Sequence, residues 1–371
     1  MERVCTHKNK EILKLFFIFT IFVFCLSVAE YNMFFRKCKI VRRKVLEHIQ
    51  KPHVEYKVNI STSYQGKTLS NDSQTSRNQS ASIIKQQTTD AILLSKKIRM
   101  EKVIEEQHRR QHLLRSHCRV NRGFKRPEAR QMLASDRYSL LYCSVPKVAC
   151  TNWKRMFLVF EGKMKDMFSI KNKDKIHTLR YKTFSGMRNY EKEWRKNIYF
   201  SFMFVRHPFE RLFSAYRNKF QNPTNPHYQR VIGSTILRLF RKNLTRMQYI
   251  QGKGVTFREF LQYILHIFRR RGSQGFDEHW QIMMNICSPC TMKYNFIGKM
   301  ETLMDDAEYI LHVNKLDNYK FPLNATDNYR RSASSLALKY FLDIPKSYKQ
   351  ELYEIYKPDF KAFGFNTDKY L

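Results

Sequence analysis

The chain has 371 residues, 43% hydrophobic and 14% aromatic, which excludes a globally disordered protein and fits one substantial packed domain with extensions. Its 68 Lys and Arg against 32 Asp and Glu leave a net charge of +36. Such a field attracts polyanions (nucleic acid, anionic lipid, acidic glycans) but says nothing about fold, and a general basic bias along the chain is the bland reading.

Leu15 to Ala29 is apolar throughout, and Ile12 and Leu13 extend it across Lys14. About 20 apolar residues span a bilayer, fewer when flanking lysines snorkel. The expectation is a cytosolic tail over 1–11 and a transmembrane signal-anchor over 12–30. The rival is a cleaved signal peptide, disfavoured by the bulky Phe content and by Ser27-Val28-Ala29 as the nearest cleavage candidate. Basic residues flank both sides, so the positive-inside rule gives no orientation. Asn-x-Ser/Thr acceptors at Asn59, Asn71, Asn78, Asn243 and Asn324 all follow the span. They place that side in a glycosylating lumen and the N-terminus in the cytosol.

Residues 50–90 are rich in Ser, Thr, Asn and Gln and read as flexible stem. A helical pattern (Ile92, Leu93, Ile98, Val103, Ile104) follows from Asp90 to about Leu114. The stem is expected over 31–117 and the packed domain over 118–371. Among the cysteines beyond the span, Cys118, Cys143, Cys150, Cys287 and Cys290 lie where disulfides persist. Cys287-Ser-Pro-Cys290, without a second pair, reads as disulfide before free thiols and metal last.

Within the domain, Tyr138–Val145 is predicted as a buried strand feeding a helix over Thr151–Glu161, and Ile198–Val205 as a second, feeding a helix over Pro208–Phe220. Pro208 suits a first helical turn. Thr256 and Glu259 form a capping box opening a helix to about Arg270. Tyr294–Gly298 is a third strand, backed by a Thr302–Val313 helix, and Tyr340–Leu342 and Ser347–Tyr356 add further helix. Strands that each lead into a helix imply an α/β fold with a mostly parallel central sheet flanked by helices.

Two strand-to-helix joints carry candidate chemistry. In the first, Pro146, Lys147, Val148, Ala149, Cys150, Thr151 and Asn152 join a strand end to a helix N-terminus. Unpaired N–H groups there hold anions; Lys147 adds a charge, Thr151 and Asn152 add side-chain hydrogen bonds, and Ala149 and Cys150 allow close backbone approach. It is no Walker A loop, lacking both glycines; an ordinary capped joint is the bland alternative. In the second, Arg206 sits where a strand leaves the sheet, followed by His207, Pro208, Phe209, Glu210, Arg211, Leu212, Phe213 and Ser214. Arg206 and Ser214 suit a phosphate, and an Arg206–Glu210 pair is the competing reading.

Together, PKVACTNWKR and RHPFERLFSAYRNKF resemble the two nucleotide-binding motifs of the Golgi carbohydrate sulfotransferase family. The likeness continues through Phe276-Asp-Glu-His279-Trp280, Cys287-Ser-Pro-Cys290, Phe296-Ile-Gly-Lys-Met-Glu301 and Leu352–Phe360, covering roughly Leu140 to the C-terminus. His207 departs from the acidic residue common there. The resemblance implies a P-loop-like sulfotransferase fold and a single-pass type II Golgi membrane protein with a lumenal catalytic domain. It implies 3′-phosphoadenylyl sulfate as co-substrate, the first motif on the 5′-phosphosulfate and the second on the 3′-phosphate. No metal and no nucleic acid is expected. Lys147 is expected to stabilise the leaving group, and His279 to act as base, with Glu278 and His207 as alternatives and a purely structural His279 as the competing reading. The acceptor is expected to be a glycosaminoglycan or other acidic glycan. The motifs look most like enzymes acting at C4 of N-acetylgalactosamine in chondroitin, with dermatan 4-O, terminal-GalNAc 4-O and glucuronyl 3-O enzymes as neighbours. A tethered, non-catalytic glycosaminoglycan-binding protein is the rival of a different class.

Overall fold

The computed structural model describes residues 75–121, 127–170, 173–223, 225–322 and 327–371. The expected tail and anchor over 1–30 lie outside them, as do Asn59, Asn71 and Asn324. No helix among the described residues is long and apolar enough to cross a membrane.

A four-stranded sheet runs in the order β1 (Met132–Ser135), β2 (Leu140–Cys143), β3 (Phe200–Val205), β4 (Phe296–Lys299). β1 pairs antiparallel with β2, while β2, β3 and β4 are parallel, with Cys143 opposite Met203 and Val205 opposite Lys299. The three predicted strands are the parallel ones; β1 is an addition. The main helices are α1 (Thr75–Val120), α2 (Cys150–Phe160), α3 (Pro208–Tyr216), α4 (Phe257–Arg271), α5 (Leu303–Val313), α6 (Asp327–Leu342) and α7 (Lys346–Phe363). α2 follows β2, α3 follows β3 and α5 follows β4, the mostly parallel α/β arrangement the sequence implies.

The strands are buried because both faces carry bulk. Tyr142, Trp153, Phe157, Phe202 and Phe204 form one aromatic cluster, Trp153 meeting Phe202 at 4.6 Å between ring centroids. A second cluster gathers Phe209, Phe213, Phe257, Phe260, Phe341 and Tyr356 around α3. Gly298 in β4 faces the Phe204 ring so closely that an added Cβ would run into it. Gly298→Ala is therefore expected to cost about 1–3 kcal/mol through overpacking. Chemical denaturation measures this; unchanged stability would mean that Phe204 has room to move.

α1 starts earlier than the Asp90 expected from periodicity, since no Gly or Pro interrupts residues 75–120. Asn78 falls within it. Its second half is no free stem: Val103 and Leu114 enter the core. The expected domain start near Cys118 thus falls inside a helix that already packs on the sheet. The α1 side chains close the β4 edge, as Gln107 Oε1 accepts the Ile297 N–H at 3.1 Å and Arg110 Nη1 donates to the Ile297 carbonyl at 2.9 Å. Arg110, 2% exposed, also reaches Asp306 at 2.8 Å and Thr302 at 2.9 Å in the first turns around α5.

The disulfides are longer-range. Cys118 pairs with Cys290 and Cys143 with Cys287, so each half of the C-x-x-C joins a distant segment. Cys150 is a free, buried thiol.

Candidate active site

The C-terminal ends of β2 and β3 lie side by side, and both candidate joints leave from them. Ligands of open parallel sheets bind at this edge. The first joint needs no glycine because two ordinary residues take the left-handed conformation: Lys147 at φ 71° and Ala149 at φ 55°, with Val148 between them outside that region. Such alternation turns successive backbone N–H groups into an anion-binding concavity just ahead of the α2 N-terminus. Left-handed backbone costs a residue with a Cβ about 1–2 kcal/mol. The rest of the fold must therefore over-determine this loop.

Lys147 Nζ donates to Asn218 Oδ1 at 2.9 Å. Desolvation, opposed by the nearby Cys150 thiol and reinforced by Lys219, Arg206 and Arg211, pushes its pKa down to about 7. Those neighbours put Lys147 and Arg206 in one electrostatic neighbourhood, as the two-joint reading requires. Arg206, Glu210, Ser214 and Asn218 follow at intervals of four along the strand exit and helix, hence on one face. Arg206 and Glu210 do approach, Nε to Oε2, but at 3.5 Å, and Arg206 Nε has no hydrogen bond although buried. A terminal phosphate would supply that missing acceptor.

Thr151, at the start of α2, faces His177 Nε2 at 3.0 Å, while Lys154 Nζ lies 3.2 Å from His177 Nδ1. An ammonium only donates, so Nδ1 accepts and Nε2–H points at Thr151, leaving the Thr151 hydroxyl proton for an anion. Asn152 instead spends its Nδ2 on the Pro322 carbonyl at 2.7 Å.

His279 is ordered by three hydrogen bonds centred on the Asp277 carboxylate. Its Nδ1 lies 2.6 Å from Asp277 Oδ1, its backbone N–H donates to the same oxygen at 2.9 Å, and Tyr228 donates to Asp277 Oδ2 at 3.0 Å. A carboxylate accepts, so Nδ1 carries the proton and Nε2 keeps its lone pair. Burial lowers the His279 pKa, against the Asp277 hydrogen bond. His279 and Lys147 share two electrostatic neighbours, Lys219 and His177. Lys219 itself lies over the Tyr228 ring at 4.0 Å.

Several expected residues are placed elsewhere. Glu278, an alternative base, accepts from Gln131 Nε2 at 2.5 Å and approaches Arg130 at 3.6 Å. His207, the other alternative and an expected nucleotide contact, is stacked on Tyr370, packed by Phe360 and Phe365, and donates Nε2–H to the Asn366 carbonyl at 2.9 Å. Arg211 is 2% exposed and turned to backbone carbonyls, while Phe209, Leu212 and Phe213 are core. None of these side chains is available to the nucleotide. Missed by sequence reasoning were Asn218, His177, Asp277 and Tyr228; of these, the Asp277-x-His279 spacing was the one visible signal. Among the described residues no group of His, Cys, Asp and Glu is arranged to hold a metal ion. A separate cavity of about 730 Å³ lined by Tyr216, Phe220, Lys253, Arg258 and Tyr340 includes neither Lys147 nor Arg206.

The titrations oppose one another. On the roles expected from the sequence, donor capture needs Lys147 charged and proton abstraction needs His279 neutral. In the unliganded protein kcat/KM for an anionic donor is expected to fall as pH rises through about 7, where Lys147 deprotonates. On the acid side it should fall only below the ordinary histidine range. An anion once bound favours the ammonium, so kcat should hold to higher pH than kcat/KM. Profiles from about pH 5.5 to about 8.5 check this, and a flat kcat/KM on the alkaline side would show Lys147 charged throughout.

Residues 130–366 match the model described as "Sulfotransferase family". Carbohydrate sulfotransferase 11 of Rattus norvegicus is 36% identical over 264 residues, 68% of this chain and 74% of that protein. Carbohydrate sulfotransferase 14 of Danio rerio is 38% identical over 236 residues, 63% of this chain and 62% of that protein. Carbohydrate sulfotransferase 9 of Homo sapiens is 32% identical over 284 residues, 74% of this chain and 63% of that protein. No solved structure matches. With both strand-end joints and the Asp277–His279 turn inside the matched span, the chain belongs to the sulfotransferase family and is a carbohydrate sulfotransferase.

Proposed function

We propose that the enzyme transfers the sulfuryl group of 3′-phosphoadenylyl sulfate to the C4 hydroxyl of N-acetylgalactosamine in chondroitin. The observation carrying the reaction is the pairing of a loop cation, Lys147, with an oriented histidine, His279, across one electropositive neighbourhood. Arg206 and Ser214 hold the 3′-phosphate; the Lys147–Thr151 loop holds the 5′-phosphosulfate. The acceptor hydroxyl oxygen forms a bond to sulfur as the bond from sulfur to the 5′-phosphate oxygen breaks. His279 Nε2 takes the hydroxyl proton, and adenosine 3′,5′-bisphosphate leaves with its new charge facing Lys147. No step calls for a metal.

The choice of chondroitin rests on the motif resemblance, and the net charge of +36 supports a polyanionic acceptor. Two disulfides support residence in an oxidising lumen, and the exposed Asn243 supports glycosylation there. A type II Golgi anchor over 12–30 completes the reading. Transfer from radiolabelled donor to desulfated chondroitin, followed by disaccharide analysis, is expected to yield 4-O-sulfated N-acetylgalactosamine. Label confined to dermatan, to terminal N-acetylgalactosamine or to a glucuronyl 3-hydroxyl would overturn the acceptor. Endoglycosidase-resistant, cytosolic protein would overturn the location.

A further inference from the structure

The loop that carries His279 and the loop that carries Lys147 lie about 130 residues apart in the sequence, yet one buried side chain holds both. Arg211 Nε donates to the Pro146 carbonyl at 2.9 Å, beside Lys147. Its Nη2 donates to the Glu278 carbonyl at 2.8 Å and its Nη1 to the Gln281 carbonyl at 2.5 Å, on either side of His279. Tyr356 on α7 takes the carbonyl between these, donating to Trp280 O at 2.5 Å. Asp359, one turn on and fully buried, accepts the backbone N–H groups of Met283 and Met284, each at 2.9 Å. The Cys143–Cys287 disulfide then joins the end of β2 to the segment that follows the histidine turn.

A planar guanidinium fixes the relative positions of the acceptors it bridges, because its N–H directions are rigid. Three carbonyls on two loops therefore leave the spacing between those loops little freedom. The chain departs from low-energy backbone at Lys147 and Ala149, so something must hold the loop in place, and the Pro146 carbonyl is where Arg211 does so.

We propose that Arg211 and Tyr356 are positioning residues that set the separation between the leaving-group cation Lys147 and the base His279. This rests on the assignment of those two residues to the reacting centre. Arg211 then acts through the two loops and touches neither phosphate. The C-terminal Tyr356–Asp359 segment serves the same purpose from α7.

The test compares Arg211→Lys and Tyr356→Phe with wild type in the full-length enzyme. Three readouts are taken: kcat for sulfate transfer, equilibrium binding of adenosine 3′,5′-bisphosphate, and thermal unfolding. Lysine keeps the charge but cannot bridge three carbonyls, so kcat is expected to fall about 100-fold while bisphosphate affinity changes by less than about threefold. Tyr356→Phe removes one hydrogen bond without a cavity and is expected to lower kcat about 10-fold in a folded protein, which decides the matter should Arg211→Lys not fold. Folded variants with wild-type kcat would overturn the proposal, as would bisphosphate affinity lost in step with activity, the mark of a phosphate contact. A wild-type enzyme that transfers no sulfate, or a Lys147→Ala enzyme that transfers it fully, would instead overturn the underlying assignment.

Discussion

Lys147→Ala is expected to lower kcat for sulfate transfer by about a thousandfold while the protein stays folded. The ammonium is held by Asn218 at the turn between β2 and α2, and on the proposed mechanism it faces the charge that develops as the leaving group departs. Burial, the main cause of its pKa falling to about 7, also reduces the solvent screening between it and a bound anion. Binding should suffer less than turnover, because Arg206, Ser214 and the backbone N–H groups of the loop still hold the nucleotide. Single-turnover rates with saturating donor, set beside bisphosphate affinity, separate the two effects. Equal incorporation by variant and wild type would sink the role of Lys147.

The second large effect is expected at His279. His279→Ala should lower kcat by about a thousandfold, within the range for removing a positioned base. Imidazole added to the buffer should restore part of the activity, since the turn that carried the ring is held by backbone contacts that survive. Asp277→Asn should cost about a hundredfold by disturbing the proton on Nδ1, with little change in donor binding. If imidazole gives no recovery and the acid limb of the pH profile stays where it was, His279 is a packing residue beside Trp280.

The three parallel strands were legible because each is a run of apolar residues ending in a polar joint, and α3 because Pro208 marks its first turn. β1 was not, since its apolar run is only Met132–Ala134 and it feeds no helix of its own. Asn218 and His177 were hidden because their partners, Lys147 and Thr151, lie 71 and 26 residues away. The misassigned residues share a geometric cause. His207 directly follows Arg206 where the chain leaves β3, and successive residues of extended backbone point to opposite sides. One therefore meets the cleft and the other the Tyr370 stack. Arg211 shares a helix with Ser214 but is offset from it by about 60° around the axis, and its long side chain turns inward to the Pro146, Glu278 and Gln281 carbonyls. A linear motif lists such neighbours together; the fold deals them to different tasks.

The side chains that close β4 carry a practical consequence for anyone cutting this protein. A fragment trimmed at Cys118 would discard Gln107 and Arg110, leave the Ile297 peptide group bare, and leave the buried Asp306 carboxylate without its cation. An open strand end of that kind invites a second copy to add itself, so such a product aggregates instead of working. The shortest working fragment has to keep the helix from well upstream of Val103, which makes the second half of α1 a working part of the catalytic body.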